Sequence, residues 1–172
     1  MQLTEKHFRL AVPAEIAFEQ LIEENNLLIL KVCRLYTSSQ ADRDDLYQEI
    51  VVQLWHGYQK FRGEAKFSTW VYRVAINTAI SGLRKKKDFI KSYQPNDLPS
   101  AHHDTPYEEE QLDELYRAIA KLNDIDKALV MLYLDDRNYN EMEEIMGISA
   151  GTLRVKMNRI KVKLRQLTKN NV

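Results

Sequence analysis

The chain has 172 residues, 44% of them apolar and 29% charged, with 25 basic against 25 acidic residues and a formal net charge of zero; this is the makeup of one folded domain or two small ones, not of a disordered or fibrous chain. No apolar run approaches the roughly 20 residues of a membrane span, and the opening MQLTEKHFRLAVPAE is broken by charge and by Pro13, so it forms no signal-peptide core. A single cysteine, Cys33, excludes an intrachain disulfide and a cysteine-based zinc site, so the expected compartment is a reducing cytoplasm, without membrane insertion.

Five Gly, four Pro and few alternating β-branched runs favour helix. Residues 13–35 read as a first helix: Ile16, Leu21, Leu28 and Val32 recur near helical spacing, and Pro13 suits a first turn. The polar stretch TSSQADRDD ends it and supplies capping residues. A second helix is expected from about 44 to 58. Leu46, Ile50 and Leu54 form one stripe, with Tyr47, Val51, Trp55 and Tyr58 beside it, which leaves Asp44, Asp45, Gln48, Glu49 and Gln53 for a polar face. FRGEAKF is a short loop around Gly63. Ser68 or Thr69 then caps a third helix, STWVYRVAINTAISGLRKKK, whose Val71, Val74, Ala75, Thr78 and Leu83 lie mostly on one side.

Residues 92–107, SYQPNDLPSAHHDTPY, hold three of the four prolines and no helical pattern, the composition of a linker. A second helical unit follows. YEEEQLDELYRAIAKL is amphipathic, with acids in its first turn as the helix dipole prefers. DIDKALVMLYLDD and NYNEMEEIM are short helices, GIS is a turn, and AGTLRVKMNRIKVKLRQL is the last helix. The fold class is therefore all-α, with two small helical domains (13–91 and 108–169) joined by a flexible acidic linker (92–107).

Zero net charge alone argues against a nucleic-acid partner, but the distribution does not. From 69 to 91 there are six basic residues (Arg73, Arg84, Lys85, Lys86, Lys87, Lys91) against Asp88 alone. From 92 to 116 there are seven acids and no Lys or Arg, and from 150 to 169 seven basic residues and no acid. Two basic blocks thus flank an acidic one, and such sign asymmetry can matter more than the total charge. Within 141–166 the same sorting recurs: Glu141, Glu143 and Glu144 precede a turn, and the basic residues follow it.

That turn has helix-turn-helix grammar. Met142, Ile145 and Met146 line the first helix, Gly147 stands where positive φ is needed, Ile148 fills the corner, and Ser149 can cap the second helix. Leu153, Met157, Ile160, Leu164 and Leu167, spaced 4, 3, 4 and 3, form the buried stripe of that helix. The basic residues lie off the stripe, where a helix in the major groove meets phosphates and base edges. The competing reading is a solvated basic helix. No phosphate-cradling Gly loop and no catalytic grouping stands out, so neither an enzyme nor a cofactor is expected. His102 and His103 lie in the linker without a cysteine partner and give no metal site.

GISAGTLRVKMNRIKVKLR and the preceding YNEMEEIMGIS resemble the C-terminal helix-turn-helix of bacterial RNA polymerase sigma factors of the extracytoplasmic-function group. DDLYQEIVVQLW is similar to the helix by which that group docks on core RNA polymerase. FRGEAKFSTWVYRVAINTAISGLRKKK resembles its promoter-melting and minus-ten-reading segment. The resemblance spans both domains in order. It implies a transcription initiation factor with core polymerase, double-stranded promoter DNA and the melted minus-ten strand as partners, and it admits an anti-sigma factor as a further one. Asp45, Gln48, Glu49 and Gln53 would face polymerase. Phe67, Arg73, Asn77, Arg84, Lys85 and Lys86 would face the minus-ten element. Thr152, Arg154, Val155, Lys156 and Arg159 would lie near base edges of the minus-thirty-five element, with Lys161, Lys163 and Arg165 on phosphates.

Two departures from the family pattern stand out. Glu143 occupies a position that is usually Ala close to the partner helix, so either it tilts outward or the helix pair is opened. Ser81-Gly82 replaces a larger pair, and Gly82 in a helix interior costs roughly 1 kcal/mol relative to Ala. Some residues keep two readings: Phe67, placed in a loop, stacks on a base or packs internally, and Asn77 bonds a base or caps a neighbour. Trp55, Trp70 and Cys33 read as core. The linker threads through polymerase as in the family, or covers the basic surfaces in the free protein. The functional alternatives are a helix-turn-helix regulator that binds DNA without polymerase, which the polymerase-like motif disfavours, and a protein-binding adaptor, which the sorted cations disfavour.

Overall fold

The computed structural model describes residues 14–92, 115 and 117–169. Among these residues every regular element is a helix: α1 (Ala14–Glu24), α2 (Asn26–Tyr36), α3 (Gln40–Tyr58), α4 (Phe67–Ser92), α5 (Asp124–Leu134), α6 (Tyr139–Met146) and α7 (Ala150–Lys169), with 117–120 also helical. The all-helical expectation holds. The linker from residue 93 onward, with His102 and His103, and Glu108 to Glu110 at the start of the second unit lie outside the described residues.

The helix expected over 13–35 is two helices. Asn25 breaks it: its side-chain amide donates to the Leu21 carbonyl at 2.8 Å, and its backbone N–H donates to Ile22 at 3.1 Å. A short amide side chain that bonds nearby backbone competes with helix propagation, which periodicity of the apolar positions cannot reveal. The break lets α1 lie across α2 and α3, so that Phe18 is buried edge-on to Trp55 at 5.0 Å and beside Tyr58 at 5.2 Å. α3 starts at Gln40, earlier than expected, because Ser39 accepts from the Asp42 N–H at 3.0 Å. α4 begins at Phe67, ahead of either expected cap, and Thr69 is buried inside its first turns.

α2, α3 and α4 pack as a three-helix unit. Its core is built from Ile29, Val32, Cys33, Ile50, Leu54, Val71 and Ala75, all fully buried. Each buried Ile or Leu contributes about 1.5–3 kcal/mol relative to an exposed one. Burial pushes the Cys33 thiol up to about 11, which makes it a small core residue rather than a reactive one. A Cβ added at Gly57 would stand 2.8 Å from the Trp70 ring, so at this point of α3 the absence of a side chain makes room for an aromatic ring of α4.

In the second unit Asn123 caps α5 by accepting from the Asp126 N–H at 2.8 Å, and α5 buries Ala128 to Leu132. α5 ends in a left-handed residue, Asp136 (φ 55°), with Arg137 N–H donating to Leu132 at 3.0 Å and Asp136 N–H to Tyr133 at 3.2 Å. This is the Schellman pattern. α6 opens with a capping box between Asn138 and Glu141 and closes at Gly147 (φ 67°), the conformation expected from the Gly-Ile-Ser turn. In α7, Leu153, Met157 and Ile160 are buried and Leu164 is half-buried, as their spacing predicts.

The two units are packed against each other. α6 lies along α4, and α5 touches it as well. One cluster of buried apolar side chains runs through both. Polar ties cross the junction. Asp135 accepts from Tyr72 Oη and pairs with Lys31 Nζ at 2.5 Å, Tyr36 Oη donates to the Asp124 carbonyl at 2.6 Å, and Lys66 Nζ is 3.5 Å from Glu141. The Arg137 guanidinium covers the Tyr72 ring at 5.2 Å. Burial first, then the bond to Asp135, drives the Tyr72 phenol well above its ordinary range, and burial does the same to Tyr36. Both hydroxyls therefore stay protonated donors.

Candidate nucleic-acid interface

The exposed face of α7 comes directly from its sequence. With Leu153, Met157 and Ile160 turned inward, Thr152, Arg154, Val155, Arg159 and Lys163 point outward, and all five are exposed. Val155 and Val162, half exposed and seven residues apart, add an apolar line along this face. Asn158, Arg159, Val162, Lys163 and Gln166 border a shallow open groove on it. Cations, amides and two valines on one helix face can meet phosphates, base edges and thymine methyl groups respectively.

Two cations differ from expectation. Lys156 does not stand free on the outer face: it is half-buried, and its Nζ lies 3.8 Å from Asp126 of α5. Lys161 donates to Tyr133 Oη at 2.9 Å and sits 4.2 Å from that ring's centre. Both belong to the flank of α7 that meets α5, and their carbon stems pack there while the ammonium finds a partner. Assigning every non-stripe cation to the outer face misses this, because α7 has one packed edge as well as a packed stripe.

The three acids before the turn each have a structural position. Glu141 closes the α6 capping box, and its carboxyl is held below the usual range, chiefly by the Asn138 backbone N–H, with help from Arg137 and Lys66. Glu143 is exposed, and its Oε2 accepts from the Ala150 N–H at 2.9 Å. It therefore tilts outward and bridges the turn without forcing the helices apart. Glu144 lines a cavity on α4.

That cavity, of about 680 Å³, lies between the end of α3, the loop after it and the start of α4. Lys60, Phe61, Arg62, Glu64, Trp70 and Arg73 are among the residues that line it, and Glu144 reaches it from the second unit. Phe67 belongs to α4 and not to a loop. It is half-buried, with ring centres 5.3 to 6.4 Å from Trp70, Phe61 and Tyr58. Trp70 is a wall of the cavity as well as a packed side chain. Lys60, Phe61, Arg62 and Lys66 are not singled out by the sequence reading, although three cations and an aromatic ring within seven positions form a usable signal. Along α4, Arg73, Asn77, Arg84 and Lys85 are exposed. Arg73, Asn77 and Arg84 share one face, which extends from the cavity down the helix, and Lys85 stands about 100° round the helix from Arg84. The Lys86 side chain lies outside those described.

On α3, Asp45, Gln48, Glu49 and Gln53 are all exposed, opposite buried Ile50 and Leu54. The polar face expected there is present. Among the described residues no group of three metal-ligating side chains comes together, and no helix is long and apolar enough to cross a membrane.

Residues 21–89 match the Sigma-70 region 2 family, and residues 112–164 match Sigma-70, region 4. The chain is 31% identical over 140 residues to an extracytoplasmic-function (ECF) RNA polymerase sigma-E factor of Haemophilus influenzae, covering 72% of this chain and 74% of that one. It is 26% identical over 166 residues to the ECF sigma factor SigW of Bacillus subtilis, covering 87% and 88%. Its fold is similar to that of the sigma factor RpoE in complex with the anti-sigma factor NepR from Bartonella quintana (TM-score 0.76, 19% identity, 89% of this chain and 97% of that one). It is also similar to CnrH in complex with the cytosolic domain of CnrY (TM-score 0.67, 18% identity, 92% and 91%).

Proposed function

The chain belongs to the ECF group of RNA polymerase sigma factors, transcription initiation factors that bind core polymerase and direct it to promoters, and from that premise we propose how its surfaces divide the work. Residues 13–91 form the domain for core polymerase and the minus-ten element, 92–107 the linker, and 108–169 the domain for the minus-thirty-five element. Asp45, Gln48, Glu49 and Gln53 on α3 face polymerase. The cavity and the α4 face, with Phe67, Arg73, Asn77, Arg84, Lys85 and Lys86, take the melted minus-ten strand. Phe67 and Trp70 supply aromatic surface and the cations supply backbone contact. On α7, Thr152, Arg154, Val155 and Arg159 reach base edges, and Lys163 and Arg165 hold phosphates.

The observation that carries this reading is the outer face of α7, the second helix of a helix-turn-helix, bearing exposed Arg154 and Arg159 with no acid on the helix. The protein works in the cytoplasm and catalyses no reaction of its own. Two solved folds similar to this one hold a partner, one of them named as an anti-sigma factor, which supports a partner of that class here.

The test is promoter selection from a library randomised at the minus-thirty-five element, with holoenzyme reconstituted from core polymerase. Arg154→Ala is expected to relax the preference at one base, a loss of about 1–3 kcal/mol. Lys163→Ala is expected to weaken all sequences alike and to lower the salt slope by about one unit. Gln48→Ala with Glu49→Ala is expected to reduce core binding with helicity intact. Equal losses and an unchanged consensus for both α7 variants would sink the groove assignment, and unchanged core affinity would sink the α3 assignment.

A further inference from the structure

α6 and α7 are joined along one edge by two side-chain contacts that a helix-turn-helix pattern does not demand. Glu143 Oε2 accepts from the Ala150 N–H at 2.9 Å. The Arg154 guanidinium lies over the Tyr139 ring, 5.3 Å from its centre. Tyr139 and Glu143 are one turn apart on α6, and Ala150 and Arg154 are one turn apart on α7. Residues four apart share a helix face, so the two contacts are successive rungs between the same two edges.

Each rung constrains something that the buried stripe leaves loose. Apolar contacts through Leu153, Met157 and Ile160 hold α7 onto the core but have no directional preference. The Glu143 carboxylate takes one of the N–H groups that a helix start leaves without an intrahelical partner, and so pins where α7 begins. An arginine side chain is long and rotamer-rich. Tyr139 is half-buried and packs against the core, so its ring is a fixed plate that limits where an exposed guanidinium points.

We propose that Tyr139 and Glu143 are positioning residues for promoter reading: the ring directs Arg154 and the carboxylate sets the start of α7, so that two residues of the first helix tune a preference exercised by the second. This rests on the base-reading role given to Arg154 above. An exposed cation held over a ring corresponds to about a threefold effect, and a helix-start bond to about fivefold.

The experiment uses full-length protein in reconstituted holoenzyme, selecting from the same randomised library, with helicity checked by circular dichroism. Tyr139→Leu keeps apolar contact with the core and removes the ring face, whereas Tyr139→Phe keeps both. The expected result is that Tyr139→Leu lowers discrimination about threefold at the base position that Arg154→Ala abolishes, and that Tyr139→Phe retains it. In an Arg154→Ala background, Tyr139→Leu should change nothing further. Glu143→Ala should lower affinity about fivefold and broaden the same position, and Glu143→Gln, which keeps an acceptor oxygen, should stay near the parent. Tyr139→Leu losses that are equal on all promoters, or undiminished without Arg154, overturn the role of the ring. Glu143→Gln matching Glu143→Ala overturns that of the bond. An Arg154→Ala variant with unaltered preferences overturns the base-reading role and this proposal together, which separates that failure from a failure of the positioning alone.

Discussion

α4 and α7 carry the two basic faces of the molecule, and they are presented differently. The outer face of α7 is open along its length, from Thr152 to Lys163. The cations at the start of α4 have acids beside them: α6 packs on α4, Lys66 meets Glu141, and Glu144 enters the cavity lined by Arg62 and Arg73. Like sequence signals therefore have unlike outcomes. A run of cations marks a polyanion surface, but an acidic helix elsewhere in the chain decides whether that surface is free. The acids of α6 look, in sequence, like a solvated counterweight to α7. In space two of them serve the α4 side of the molecule and one caps α7.

Three measurements can break or sharpen this contrast. The largest effect is expected at Asp135, which accepts from Tyr72 and pairs with Lys31 across the junction. Removing an acceptor that holds charge-assisted bonds costs about 1.5–3 kcal/mol, so Asp135→Ala should lower urea stability by that order. Tyr72→Phe should cost less, since it leaves the Lys31 pair intact. An Asp135→Ala protein as stable as the parent would mean that the junction is held by apolar packing alone.

A smaller effect is expected at the cavity. Glu144→Gln removes one negative charge beside Arg62 and Arg73, and should raise binding of a single-stranded minus-ten oligonucleotide by the free protein about two- to fivefold at low salt, fading as salt screens the charge. Duplex binding through α7 should be unaltered. An equal gain on both nucleic acids would erase the distinction between the acid-flanked face and the open one.

The smallest effect concerns pH. The Glu141 carboxyl is depressed in the folded state, first by the Asn138 N–H and then by Arg137 and Lys66. A depressed carboxylate contributes stability that is present above its unfolded pKa and is lost as pH falls through the folded value. Acidification below the ordinary carboxylate range should therefore loosen the α6 start and its contact with Lys66. Glu141→Gln should flatten that part of a stability-versus-pH curve, and a curve of unchanged shape would remove Glu141 as a contributor.

Much of this protein is local and legible in the order of its amino acids. Helix type, the Gly147 turn, the Ser149 cap, the inward stripe of α7 and the polar face of α3 depend on residues within a turn or two of each other, where spacing and backbone preference act directly. The family motifs of both halves are equally local. What sequence could not supply arises between distant residues or from one side chain overriding a pattern. Asn25 splits a helix that periodicity joins, because its amide takes a backbone carbonyl. Gly57 reads as a neutral helix position, yet a Cβ there would meet Trp70. Lys156 and Lys161 count as free cations until α5 is placed beside them. The Tyr72–Asp135 bond, the cavity with Glu144 in it and the edge shared by Tyr139, Glu143, Ala150 and Arg154 exist only once helices pack. Period and propensity determine which face of a helix is apolar, whereas which neighbour meets each polar edge is set by the docking of helices distant in the chain, through contacts that leave no periodic trace.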